Sequence, residues 1–187
     1  MTYHIETERL ILRELQLADL PAWFAMDSDP AVHTFLGNKP VKKMAEIEQN
    51  FQFIQQQYAE NGIGRWAAIE KETGEFIGWT GLKLMTEPTN NQINFYDVGY
   101  RLAQKHWGKG YATESAKAAI AYGFTELQAT EIIGIANVDN VNSRHALEKC
   151  GLQFVEKFVF EKWHHQYCDW LKITKEQWIL RQQNEHI

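Results

Sequence analysis

The 187-residue sequence predicts a mixed α/β fold of about seven strands and five helices. Three observations carry this prediction. Residues 43–60 place apolar side chains at helical spacing on one side only. The turn signal ETGE separates two strand-like apolar runs. From residue 93 onward, strand and helix patterns alternate.

The elements follow in order. TERLILREL (7–15) alternates and carries Leu10 and Leu12, so it reads as the first strand. QLADLPAWFAM is helical, with Asp19 as the expected N-cap and Pro21 tolerated in the first turn; DSDPAV then breaks it. The stripe of Met44, Ile47, Phe51, Ile54 and Tyr58 marks the second helix. GRWAAIEK and FIGWTGLKL form a hairpin, and after the loop EPTNNQ a third strand covers INFYDVGYRL (93–102). A helix over 110–126, the strand EIIGIA (131–136) and a helix over 140–150 come next, the last stopped by Gly151. LQFVEKFVF and YCDWLKI read as two closing strands. TKEQWILRQQ reads as a final helix, capped by Thr174 with Gln177 in the box position. No repeat, low-complexity tract or linker divides the chain, so one domain over 1–187 is expected.

The charge balance is mildly acidic, at −5, which argues against non-specific nucleic-acid binding. Cys150 and Cys168 show no metal-ligand spacing and read as reduced thiols, so no metal is expected. The first residues, MTYHIETERL, lack a basic region followed by an apolar stretch. No run approaches the roughly 18 apolar residues of a membrane span. The chain reads as cytoplasmic, with no membrane partner.

The segment HWGKGYATES (106–115) is the most informative stretch. Gly108 and Gly110 permit a tight turn directly between a strand and a helix, so several backbone N–H groups converge. The helix start adds unpaired amides and the positive end of its dipole. Lys105, His106 and Lys109 add donors and charge, completing a candidate anion cradle. An ordinary left-handed turn is the plainer alternative. GxxxxGK[ST] is absent, which excludes a Walker A loop, and the third glycine of GxGxxG is missing. Ala112, Ala116, Ala119 and Gly123 give the helix a slim flank for close packing on a sheet.

A second polar cluster, NVDNVNSRHALEKCG (137–151), opens the next helix. Asp139, Asn140 and Ser143 either cap that helix or, with Asn140 and Ser143 one turn apart, face the ligand of the glycine turn. Taken together, DVGYRLAQKHWGKGYATES and NVNSRHALEKCGL resemble the two acetyl-CoA motifs of the GNAT N-acetyltransferases, in particular the RimJ/RimL-like branch. TERLILREL, FIGWTGL and WLKITKEQW fit the same branch, so the resemblance covers almost the whole chain.

The resemblance implies a central, mostly antiparallel twisted sheet, splayed at the acetyl-CoA site and flanked by helices, with Gly99 as the bulge behind the splay. It implies that the Q/R-x-x-G-x-G/A turn holds the coenzyme A pyrophosphate on main-chain amides; here Lys105 takes the Q/R place beside Gln104. The cofactor-binding positions are then Lys105, His106, Trp107, Gly108, Lys109, Gly110 and Tyr111, with the pantetheine arm along Tyr100, Arg101 and Leu102. Many members protonate the departing sulfur with a tyrosine, but Leu147 stands at that place. Ser143 near the sulfur and Asn140 on the pantetheine are the implied substitutes. Asp97 stands where many members carry a glutamate and is the implied base, acting through a water. A plain polar strand residue is the alternative.

His33, His164 and His165 are alternative bases, each with a surface histidine as the simpler reading. Trp66, Trp79 and Trp163 either line an acceptor pocket or pack the core. The expected activity is acetyl-CoA-dependent acetylation of a primary amine, a peptide N-terminus or a small molecule, by direct attack in a ternary complex of a monomer or homodimer. A silent acyl-CoA-binding module and a nucleotide-binding enzyme are the competing classes.

Overall fold

A computed structural model describes residues 4–185. The elements in order are β1 (His4–Glu6), β2 (Leu10–Glu14), α1 (Leu20–Asp27), α2 (Met44–Asn61), β3 (Trp66–Glu70) and β4 (Phe76–Met85). They continue with β5 (Phe95–Leu102), α3 (Tyr111–Thr125), β6 (Glu131–Asn137), α4 (Val141–Lys149), β7 (Gln153–Phe160), β8 (Gln166–Thr174) and α5 (Lys175–Glu185). The strands make one open sheet in the order β1-β2-β3-β4-β5-β6-β8-β7. Every neighbouring pair is antiparallel except β5 and β6.

The sheet has eight strands rather than seven: the strand expected over 7–15 forms as β2, and a short strand not expected from the sequence, β1, precedes it. The Thr7 N–H donates to the Leu10 carbonyl (2.9 Å), and the Leu10 N–H donates to Thr7 Oγ1 (3.0 Å). This tight turn folds His4–Glu6 back onto Ile11–Arg13. A three-residue strand leaves almost no periodic signal. Asp19 stands at the expected N-cap position of α1, but its side chain makes no cap bond there. Its side chain accepts from the Gln16 N–H (2.8 Å) and pairs with Arg13 (2.8 Å), so it closes the turn before α1 and does not cap α1.

The predicted stripe of α2 packs as expected. Ile47 and Ile54 are buried in a core under α1 and α2, and Met44, Phe51 and Tyr58 pack against it. Full burial of one such side chain contributes about 1.5–3 kcal/mol. Gly62, left-handed at φ 65°, ends the helix. At α5 the capping box is formed: the Gln177 N–H donates to Thr174 Oγ1 (3.3 Å) and the Thr174 N–H donates to Gln177 Oε1 (2.9 Å).

On the other face of the sheet, α3 lays its slim flank on β4–β6. Ala116 and Ala119 are fully buried, and a Cβ at Gly123 would lie 2.7 Å from both Leu82 and Ile132. The two cysteines are free and buried, and burial pushes both thiols up to about 12. They are therefore protonated at neutral pH. Among the described residues, no helix is long and apolar enough to cross a membrane, and no group of His, Cys, Asp and Glu could hold a metal ion.

Candidate active site

The parallel contact between β5 and β6 is short. Tyr96, Asp97 and Val98 face Ile132, Ile133 and Gly134, and the pairing then stops. Strand β5 continues to Leu102 along β4, while β6 continues to Asn137 along β8. The strands therefore part after Val98, leaving residues 99–102 with a free edge beside the starts of α3 and α4. No bulge at Gly99 causes this, because the β4–β5 register runs unbroken through Gly81↔Gly99. Gly99 has another reason: a Cβ there would lie 2.7 Å from the guanidinium of Arg65.

Beyond the free edge lies the glycine turn. Gly108 and Gly110 are left-handed, at φ 73° and 84°, and Gly110 is the N-cap residue of α3. A Cβ at Gly108 would meet nothing within 4 Å, so the backbone faces open space there. The first-turn amides of α3 have no intrahelical partners and face a concentrated positive dipole. Arg9 fixes the turn from outside. It donates to the Lys109 carbonyl (2.9 Å), lies over the Tyr111 ring (4.5 Å) and pairs with Glu114 (2.6 Å). Burial raises the pKa of Glu114, but hydrogen bonds from Thr7 and Arg9 outweigh it and hold the carboxylate below its usual range.

The side chains of the turn are already engaged. The Lys105 ammonium pairs with Glu75 (2.6 Å) on the β3–β4 connection. His106 is buried with both ring nitrogens unpartnered, and burial, then Lys105, pushes its pKa down. The Trp107 indole donates to the Leu102 carbonyl (2.7 Å), and the Tyr111 hydroxyl donates to Glu70. What the turn offers a ligand is therefore mainly backbone.

Asn140 and Ser143 stand across the gap. Asn140 is the N-cap of α4, its Oδ1 accepting from the Ser143 N–H (3.1 Å). The Tyr100 hydroxyl, from the free edge of β5, donates to the Ser143 carbonyl (2.9 Å) and lies 3.2 Å from Ser143 Oγ. Burial raises the Tyr100 pKa, so the phenol keeps its proton. Leu147 is a core residue, packed against Gly134.

The opposite face of β3–β5, under α1 and α2, is charged. Asp97 is buried and pairs with Arg65, which also donates to the carbonyls of Asp97 (2.7 Å) and Gly81. Burial raises the Asp97 pKa, and the charge of Arg65 opposes that rise. Arg101 pairs with Asp27 of α1 (2.9 Å), and Trp79 lies under both guanidiniums, 5.5 Å from Arg65 and 5.0 Å from Arg101. Contrary to the expected surface position, His33 is buried, with Nε2 4.0 Å from Asp27 Oδ1. Burial, then Arg101, lowers its pKa.

The three tryptophans do not meet. Trp66 is fully buried against Tyr122 of α3 (5.2 Å), Trp79 lies on the other face, and Trp163 packs on Phe160 (4.8 Å). His164 and His165 are exposed residues of the β7–β8 turn, both left-handed. Sequence reasoning missed Arg65, Asp27 and the Tyr100 hydroxyl. Only Arg65 left a signal, as a charged residue at the mouth of the apolar strand GRWAAIE.

Comparison with known proteins agrees with this geometry. The family described as Acetyltransferase (GNAT) domain matches residues 9–153. An uncharacterized N-acetyltransferase of Bacillus licheniformis, p20, is 31% identical over 79% of this chain and 80% of its own. The FsC-acetyl coenzyme A-N(2)-transacetylase of Aspergillus fumigatus is 29% identical over 95% of this chain and 79% of its own. The structure of spermidine N-acetyltransferase from Vibrio cholerae in complex with CoA and spermine superposes with a TM-score of 0.74 at 20% identity, covering 92% and 99% of the two chains. Its likeness shows the fold. A sheet parted beside a glycine turn, and a family match over most of the chain, lead to one conclusion: the protein belongs to the GNAT acetyltransferases, which acetylate amines from acetyl-CoA.

Proposed function

We propose that residues 1–187 act as one RimJ/RimL-like acetyltransferase domain, joining the acetyl group of acetyl-CoA to a primary amine by direct attack in a ternary complex. The observation that carries this reading is the free edge of residues 99–102, lying between the open backbone at Gly108 and the Tyr100–Ser143 pair. The residues fit the co-substrate. Amides of residues 108–113 would hold its pyrophosphate, supplemented by the charge of Lys109, and residues 100–102 would pair with the pantetheine amides. Lys105, Trp107 and Tyr111 would shape the turn through the bonds described above, and His106 through its buried ring beside Tyr111. Asn140 would serve as both cap and pantetheine contact.

Acetyl transfer forms a C–N bond, breaks a C–S bond, and needs one proton removed from the amine and one supplied to the thiolate. Asp97 takes the first through a water; burial makes it more basic, and Arg65 fixes its orientation. Ser143 stabilises the thiolate by donating a hydrogen bond, the thiolate then taking its proton from solvent, and the Tyr100 phenol, bonded to the Ser143 carbonyl and 3.2 Å from its Oγ, holds the serine in place. Backbone N–H groups at the free edge polarise the carbonyl.

Ser143→Ala should lower kcat by about tenfold and leave acetyl-CoA affinity unchanged, measured by CoA thiol release and calorimetry. Loss of affinity with kcat intact would make Ser143 a binding residue only. A second reading, a silent acyl-CoA-binding module, draws on Leu147 at the tyrosine position and on the engagement of Asp97 by Arg65. It predicts acetyl-CoA binding with no thiol release across broad amine and peptide panels.

A further inference from the structure

The charged face under α1 and α2 has an unequal balance. Three cations, Arg65, Lys83 and Arg101, project from β3–β5 or just before it, against the carboxylates of Asp97 and Asp27. Each carboxylate already has its arginine: Asp97 is held by Arg65, and Asp27 by Arg101 at 2.9 Å. Lys83 is left over. It stands directly opposite Asp97 in the β4–β5 register, half-buried, with Nζ 5.4 Å above the Phe53 ring. Its other charged neighbours, Lys162 and Glu87, pair with each other. Among the described residues, no carboxylate lies within ion-pairing distance of Lys83.

The helix that carries Phe53 also holds an unused acceptor. Gln57 lies one turn beyond Phe53 on α2, hence on the same side of the helix. It is 6% exposed and its Oε1 has no hydrogen-bond partner. A buried acceptor without a donor is costly, and a ligand N–H would satisfy it. Charge for an anion and an oxygen for an N–H therefore lie on one face, beside the strand that carries Asp97.

We propose that Lys83 anchors an anionic group, a carboxylate or a phosphate, on the amine acceptor, so that the enzyme prefers negatively charged amines over polycations. The inference rests on the acetyltransferase reading and names the substrate class for it. A polyamine would meet the one uncompensated positive charge here, that of Lys83, and like-charge juxtaposition is a means of rejecting a partner. An amino acid, an acidic peptide or a phosphorylated amine would supply the missing counter-charge.

The test is a matched-pair comparison of CoA release. Amino acids are set against their amides, O-phosphoethanolamine against ethanolamine, with spermidine as the polycation. The anionic member of at least one pair should be favoured about tenfold or more in kcat/KM. The pair that shows it distinguishes carboxylate from phosphate. Lys83→Gln should collapse the ratio by raising KM for the anionic amine, and Lys83→Arg should preserve it. Equal use of both members of every pair, preference for spermidine, or a ratio that survives Lys83→Gln would overturn the anchor while leaving the acetyltransferase reading standing. If Lys83→Gln does not fold, the wild-type ratios and Lys83→Arg still decide. Acetyl-CoA binding with no release from any amine would remove the underlying reading, and this one with it.

Discussion

On the α3 face of the sheet, the site is assembled from backbone: a free strand edge, two left-handed glycines and the open end of a helix. On the α1/α2 face it is assembled from paired side chains, Arg65 with Asp97 and Arg101 with Asp27, set around Trp79. On the proposed reading, the difference follows from the two ligands. A co-substrate common to a family can be held by groups that every sequence possesses, provided glycines let it approach. An acceptor must be distinguished from other amines, and only side chains can do that. Mutations on the two faces should therefore fail differently.

The largest effect is expected at Arg65. Arg65→Ala would strand a buried carboxylate and leave the carbonyls of Gly81 and Asp97 short of a donor. Breaking a buried pair from one side costs about 3–5 kcal/mol, which urea unfolding would read directly. A loss under about 1 kcal/mol would mean that the pair behaves as a surface one, and the contrast between the faces would weaken.

Gly108→Glu should give the opposite profile. Its Cβ meets no neighbour, so the fold loses only the cost of a left-handed residue, about 1 kcal/mol. The added carboxylate, however, would stand where a diphosphate needs amides. Acetyl-CoA affinity should fall at least about a hundredfold by calorimetry. Affinity within a few-fold of the wild type would place the pyrophosphate elsewhere.

The smallest effect is a pH slope. Burial holds His33 below its ordinary value of 6.5, so the folded state keeps it neutral while the unfolded chain takes up a proton. Its contribution is present above pH 6.5 and is lost as pH falls through that value toward the lower folded pKa. His33→Gln should flatten this acid-side slope in denaturant titrations between about pH 7 and 5. An unchanged slope would mean that another titratable group governs that limb.

The sequence made the proposed co-substrate side legible and the proposed acceptor side nearly invisible, for a physical reason. Gly108, Gly110, Asn140 and Ser143 act within a few residues of the turns and helix starts they build, so spacing exposes them. The α2 stripe and the β3–β4 hairpin are likewise periodic, local signals. Arg65 and Asp97 are 32 positions apart, Tyr100 and Ser143 are 43, and Asp27 and Arg101 are 74. Such pairs are set by register and crossover, which no window of residues contains. Gly99 shows the cost of reading locally. It was expected to bend a strand, yet it is small because the guanidinium of Arg65, just before β3, passes over it.

The short parallel contact between β5 and β6 also bears on how the molecule holds together over time. Through β5, each strand pairs with its predecessor in the chain, and β6, β7 and β8 pair only among themselves apart from this contact. Three residue pairs thus join two strand blocks, and α3 spans the join from above. In amide-exchange terms, such a joint is where sub-global opening is cheapest. A molecule lodged against residues 99–102 and gripped by the starts of α3 and α4 would act as a splint across the blocks, slowing exchange in both at once. On the proposed reading, the gap that would admit the co-substrate is also the hinge that it would lock.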